Sequence, residues 1–209
     1  MSAPTGEEAE RRTRAQLAGC GGCGGVVLSV LVLLALTVVR SDRTFFDDPA
    51  QVEATLQAIV PCQLPRGYRP YRGAHAGGQR LVQAVPETFR GEQVPLSSAL
   101  LIAVWSFPSG TPVSQAQAQA LEYWTQLVGQ RLGAPAADGP ADQAVELPLR
   151  GGAVAAVQRD LPGAGVPLRL VVVAAPRAPG GAEPVAFSFL GAAPRFDRAA
   201  LLDFLGSVR

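Results

Sequence analysis

The chain has 209 residues, room for one ordinary domain plus short extras. All 18 basic residues are arginine, and neither Lys nor Asn occurs, which excludes a Walker-type phosphate loop, a Schiff-base lysine and an N-x-[ST] glycosylation site. The single histidine, His75, excludes any site built on two imidazoles, and 13 Arg against 13 acidic residues from Thr44 onward argue against a broad nucleic-acid surface.

No charged residue lies between Arg14 and Arg40. Val26 to Val39 is an apolar run of 14, broken only by Ser29 and Thr37. At 1.5 Å per residue it is roughly 21 Å long, short of a bilayer core of about 30 Å. Adding Gly19–Gly25 brings it to 21 residues and roughly 31 Å, which spans. The sequence "GCGGCGG" is therefore expected to form the first two turns of a membrane helix, where Gly is tolerated. Its Cys20-Gly21-Gly22-Cys23 has C-x-x-C spacing, but both thiols fall at membrane depth, where a thiolate is disfavoured. Leu17-Ala18-Gly19-Cys20 has the form of a lipobox in the wrong order, because a lipobox Cys follows the apolar stretch and Cys20 precedes it. Gly21 and Gly25 form a G-x-x-x-G pair, a contact through which the anchor could meet a homodimer mate or a protein partner.

A cleaved signal peptide is the rival reading of the run. Ala35-Leu36-Thr37 lies inside it, and Val39-Arg40-Ser41 is a poor cleavage site, so the helix is expected to be retained. Arg11, Arg12 and Arg14 before the run outnumber Arg40 and Arg43 after it, which places the N-terminus in the cytoplasm. The arginine-only, Gly- and Pro-rich composition suits a high-GC bacterial coding preference. The expected organisation is a cytoplasmic tail at 1–18, a transmembrane helix at 19–39 in a bacterial inner membrane, a linker at 40–47 and an extracytoplasmic α+β domain at 48–209.

Asp48 and Pro49 open the first helix of that domain, with Val52, Leu56 and Ile59 on its apolar stripe and Pro61 and Pro65 beyond its end. Three extended stretches follow, at 67–72, 80–85 and 98–107. A second helix starts near Thr111-Pro112 and carries Val113, Ala116, Ala120, Trp124, Leu127 and Val128 at helical spacing. Strands at 145–150 and 153–160 flank Gly151-Gly152, a hairpin signal. Strands at 168–175 and 184–190 flank Pro179-Gly180-Gly181, and Asp197 caps a last helix with Leu201, Leu202, Phe204 and Leu205. About seven strands joined by short turns make a mostly antiparallel sheet, and three amphipathic helices must cover it, which is an α+β layered domain.

This order of elements, over about residues 50–209, resembles the PsbP/Mog1-like α/β/α sandwich. The resemblance implies a small secreted or membrane-tethered domain that binds or scaffolds other proteins rather than one that catalyses.

The densest cluster of functional side chains is "PRGYRPYRGAHAGGQR", residues 65–80. Arg66, Arg69, Arg72 and Arg80 gather there with Tyr68, Tyr71 and His75, and no acid interrupts them. Arg and Tyr together suit anions, lipid head groups or an acidic partner. Strand alternation would put Arg66, Tyr68 and Arg72 on one face and Arg69 and Tyr71 on the other. His75 is expected in a Gly-bounded loop. Cys62, the one cysteine beyond the anchor, is expected to be buried, and Trp105 and Trp124 to be core. No catalytic residue, cofactor or metal set is expected. The function read from the sequence is a membrane-anchored binding or scaffold domain, with a structural subunit of an envelope complex as the alternative. A hydrolase using His75 with Cys62 or a serine is the weakest reading, because no G-x-S-x-G elbow is present.

Overall fold

The computed structural model describes residues 44–90, 100–132, 142–163 and 165–209. The expected tail and transmembrane helix, 1–39, lie outside the described residues. Among the described residues no helix is long and apolar enough to cross a membrane.

The described chain is α+β, with one antiparallel sheet of eight strands. The strands are β1 (Thr44–Phe46), β2 (Tyr68–Ala76), β3 (Gln79–Pro86), β4 (Leu101–Ser106), β5 (Gln143–Leu149), β6 (Gly152–Leu161), β7 (Leu168–Pro176) and β8 (Pro184–Ala192). Their spatial order is β1-β2-β3-β4-β8-β7-β6-β5. Two four-stranded meanders thus meet where β4 pairs with β8, Ile102 opposite Phe189 and Val104 opposite Phe187. Helices α1 (Pro49–Ile59) and α3 (Arg198–Ser207) cover one face, and α2 (Val113–Leu132), which links the meanders, covers the other.

Both helix layers follow from the pattern of apolar residues. On α1, Val52, Leu56 and Ile59 are buried with Val82, Ile102 and Val104 of the sheet. On α2, Ala116, Ala120, Trp124 and Val128 are buried with Ala103, Leu170 and Val172. β7 and β8 lie between both layers and so read as nearly continuous apolar runs, LRLVVVAAP and PVAFSFLGA. The Phe187 and Phe189 rings meet the Phe204 ring of α3 edge-on at 5.8 and 5.9 Å, locking α3 to the middle of the sheet. Leu202, expected on the apolar stripe of α3, is exposed instead, because it projects from the side of the helix away from Leu201 and Phe204.

The helix starts are capped as their residues dictate. Asp48 accepts a hydrogen bond from the Gln51 amide at 2.8 Å and Asp197 one from the Ala200 amide at 2.9 Å. Asp48→Ala should therefore cost about 1 kcal/mol, read as a melting-temperature drop of roughly 2–4 °C. Asp48→Asn, which keeps the acceptor, should melt within about 1 °C of the parent.

Four further features depart from the expectation. Residues 44–46, assigned to a linker, form edge strand β1, paired with residues 73–75 of β2, so the sheet has eight strands rather than about seven. β2 continues through Gly73 to Ala76 instead of breaking into a loop, because the Phe46 ring packs directly over Gly73, where any side chain would collide. The β5–β6 turn is centred on Arg150 and Gly151, φ 51° and 76°, not on the two glycines, with Leu149 opposite Gly152. Arg150 holds that left-handed conformation while its guanidinium donates to the carbonyls of Pro176 and Arg177. Finally, the β2–β3 register shifts between Pro70 and Arg72, and this bulge changes which side chains share a face. The sheet edges are blunted: β1 has three residues, β5 carries Pro148, and the stretch of β2 that β1 leaves uncovered carries Pro70 and the bulge.

Candidate functional site

The bulge decides the fate of the Arg–Tyr stretch. Arg69 lies opposite Val85, and Arg72 lies opposite Gln83. Val85 packs in the cluster beneath α2, and Gln83, two residues away, shares that face. Tyr71, the extra residue, also packs against that cluster. Arg72 therefore joins Arg69 and Tyr71 on the α2 side, contrary to simple alternation. The Arg69 and Arg72 guanidinium carbons stand 6.0 and 5.2 Å from the centre of the Tyr71 ring, at cation–π distance. Arg69 also donates from Nη2 to the Phe89 carbonyl at 3.2 Å, and Phe89 meets Tyr71 edge-on at 5.5 Å.

The other members are placed elsewhere. Tyr68 packs against the α1–α3 cluster, and its phenol is pushed up to about 12 by burial and then by the charge of Asp197. His75 lies opposite both Thr44 and Arg80, on the face that Phe46 caps, with its ring edge-on to Phe46 at 5.0 Å. Its Nε2 is buried without a hydrogen-bond partner in the protein. Arg80 shares that face with His75, and Arg66 is exposed in the loop before β2. The seven residues thus do not form one patch. Arg69, Tyr71 and Arg72 come together; Tyr68, His75 and Arg80 turn to the opposite layer.

Beside the arginine pair, on the same face of the sheet, a groove of about 540 Å³ runs between α2 and the β3–β4 pair. Trp105 of β4 and Phe107, just past its end, form its floor and Gln79 of β3 one rim. The other rim is a stripe of α2: Gln115, Gln119, Glu122 and Gln126, at steps of four, three and four residues, which is one face of a helix. Tyr123, 38% exposed, stands edge-on to Trp105 at 4.8 Å, and Trp105 is edge-on to Trp124 at 6.4 Å. Gln79 donates across the groove from Nε2 to Gln119 Oε1 at 3.2 Å. Leu81 pairs with Trp105 and Gln83 with Ala103, so Arg72, opposite Gln83, begins one two-residue step, about 7 Å, beyond the Trp105 row. Groove and arginine pair therefore share one face of the sheet, with the arginines on β2, separated from the β4 floor by β3 and by at least one row, and outside the groove's lining.

A smaller cavity of about 210 Å³ lies on the opposite layer, over Val145, Leu147, Val171 and Leu201, with Arg169 and Arg198 at its rim. Arg169 is already bound by both oxygens of Asp160, at 2.9 and 3.0 Å, so its charge is answered locally.

Among the described residues no three His, Cys, Asp or Glu gather as a metal cluster. Cys62 is buried in the α1–α3 core, and its thiol is pushed up to about 12 by burial and then by the charge of Glu53. The folded chain keeps this thiol protonated at pH values where the unfolded chain, with its ordinary value near 9, releases the proton. The resulting stability is complete below about pH 9 and is lost as pH rises towards 12; Tyr68 acts in the same sense from about pH 10 upward. Denaturant titrations should show stability falling through that window, with Cys62→Ala flattening its lower part. Iodoacetamide at about pH 8 should leave the Cys62 peptide unmodified until the chain is unfolded.

Compared with known proteins, the chain matches no protein-family model and no curated sequence.

The groove was missed by sequence reading. Its residues come from positions 79, 105–107 and 115–126, brought together only by strand pairing and helix docking. The available signal was the stripe of amides on α2 opposite its buried face, a pattern that ordinarily marks a solvated surface.

Proposed function

We propose that the chain is a membrane-anchored binding or scaffold domain, held in the bilayer by residues 19–39, with the α2 side of its sheet presented outside the cytoplasm as the binding face. The observation that carries this reading is the open groove on the same sheet face as the Arg69–Tyr71–Arg72 stack, in a domain whose two cores are otherwise enclosed by helices. Binding rather than catalysis is supported by how the groups suited to nucleophile or base chemistry are used. The Cys62 thiol is buried and held protonated, and the His75 ring packs edge-on against Phe46. The charge-free run between Arg14 and Arg40 supports the anchor.

Fractionation tests the reading. Alkaline carbonate should leave the intact chain with the membranes, and protease added to spheroplasts should digest residues 44–209. Release by carbonate, or a domain protected from external protease, would remove the proposal of an anchored extracytoplasmic domain.

A further inference from the structure

We infer that the groove between α2 and β3–β4 is a binding site for an uncharged oligosaccharide. The inference rests on the binding-domain reading and names the ligand class for the same face.

The chemistry of the lining selects the class. Of the side chains at the groove, Glu122 alone is charged, and Gln126 donates to it at 2.7 Å. Among the described residues that line the groove there is no cation, so the lining offers nothing to hold a phosphate or carboxylate. The rims instead carry carboxamides. Each Gln amide presents two donors and an acceptor in one plane, a match for neighbouring hydroxyls that donate and accept in turn. The apolar part of the lining is Ala118 and three aromatic rings, with Trp105 and Phe107 largely covered below, 6% and 4% exposed, and the exposed Tyr123 ring at the side. Rings beside amides suit a pyranose, whose C–H faces are apolar and whose edge is polar. Trp105 Nε1 is buried without a partner in the protein, a donor that an entering hydroxyl would reach only if the ring moved to expose it.

A polypeptide fits less well. An extended peptide gains its affinity by adding to a free strand edge, yet β3 and β4 are each paired on both sides. A helical peptide needs an apolar groove, and this one is rimmed by amides.

The chain has two tryptophans, Trp105 at the groove floor and Trp124 beside it, so intrinsic emission reports on this site. The test titrates the full-length chain, in a sugar-free zwitterionic detergent, with maltotetraose, cellotetraose, chitotetraose and, as the polypeptide arm, tetra-alanine. At least one oligosaccharide should change the emission saturably. The double variant Gln119→Ala, Gln126→Ala should bind it at least tenfold more weakly while keeping the parent's circular dichroism; both positions are exposed, so the fold does not depend on them. No response to any of the three sugars, unchanged affinity in the double variant, or saturable binding of tetra-alanine alone would overturn the inference. A carbonate-resistant, externally accessible chain that ignores all three sugars would sink the saccharide assignment and leave the anchored binding domain standing.

Discussion

Trp124→Ala is expected to destabilise the domain by about 3–5 kcal/mol, the usual cost of removing a fully buried large aromatic side chain. Trp124 is 1% exposed and is enclosed with Trp105 in the cluster between α2 and the sheet. It meets Trp105 and Tyr123 edge-on, at 6.4 and 5.2 Å, so alanine would leave both rings unsupported as well as opening a cavity. For a domain of this size the loss corresponds to roughly 6–20 °C in melting temperature. Its indole N–H has no partner, so Trp124→Phe forfeits no hydrogen bond and should cost distinctly less. Leu202→Ala, at an exposed position of α3, should stay within about 0.5 kcal/mol of the parent. Thermal melts of residues 44–209 decide the matter. A loss below 1 kcal/mol for Trp124→Ala would show that α2 is not docked through this cluster.

Gly73→Val should detach β1. A Cβ on Gly73 would lie 2.2 Å from two carbons of the Phe46 ring, a separation no packed structure tolerates. Phe46 must then leave its place, where it caps the core and meets His75. β1 has only three residues, all paired opposite 73–75, and nothing beyond Phe46 would replace the lost packing. The overpacking costs about 1–3 kcal/mol. The sharper readout is hydrogen exchange: amides of 44–46 and of their β2 partners should lose protection while β7 and β8 keep theirs. Phe46→Ala combined with Gly73→Val should be less destabilising than the sum of the two changes, because each removes the other's obstacle. Additive losses would mean that the ring and the glycine are not in contact.

The helices were legible because caps and apolar stripes are local. Asp48-Pro49 and Asp197 mark two starts, and Val52-Leu56-Ile59 marks a buried face, all within a few residues of one another. The hairpins were legible for the same reason. β1 was not: three residues between Arg43 and Asp47 are too few to show alternation, and their strand character comes from Gly73, almost 30 residues away. The bulge at Tyr71 also escaped, since the extra residue is defined only by the register against β3. That one residue moved Arg72 to the face of Arg69 and Tyr71, within a cluster that simple alternation already divides between the two faces. The Arg150 turn went to a non-glycine because its guanidinium reaches carbonyls some 26 residues downstream, a compensation that local turn preferences do not contain. The groove is the extreme case, since each of its walls is ordinary alone and becomes a site only when α2 settles beside β3 and β4.

Photo-crosslinking in the native membrane tests most directly that the α2 side is the binding face. A benzophenone side chain placed at Gln119, on the groove rim, or at Arg72, beside it, should capture a discrete adduct in intact cells. The same group at Leu202, exposed on the opposite layer, should capture none. Adducts of equal yield from Leu202, or none from either α2-side position, would contradict the assignment of function to this face.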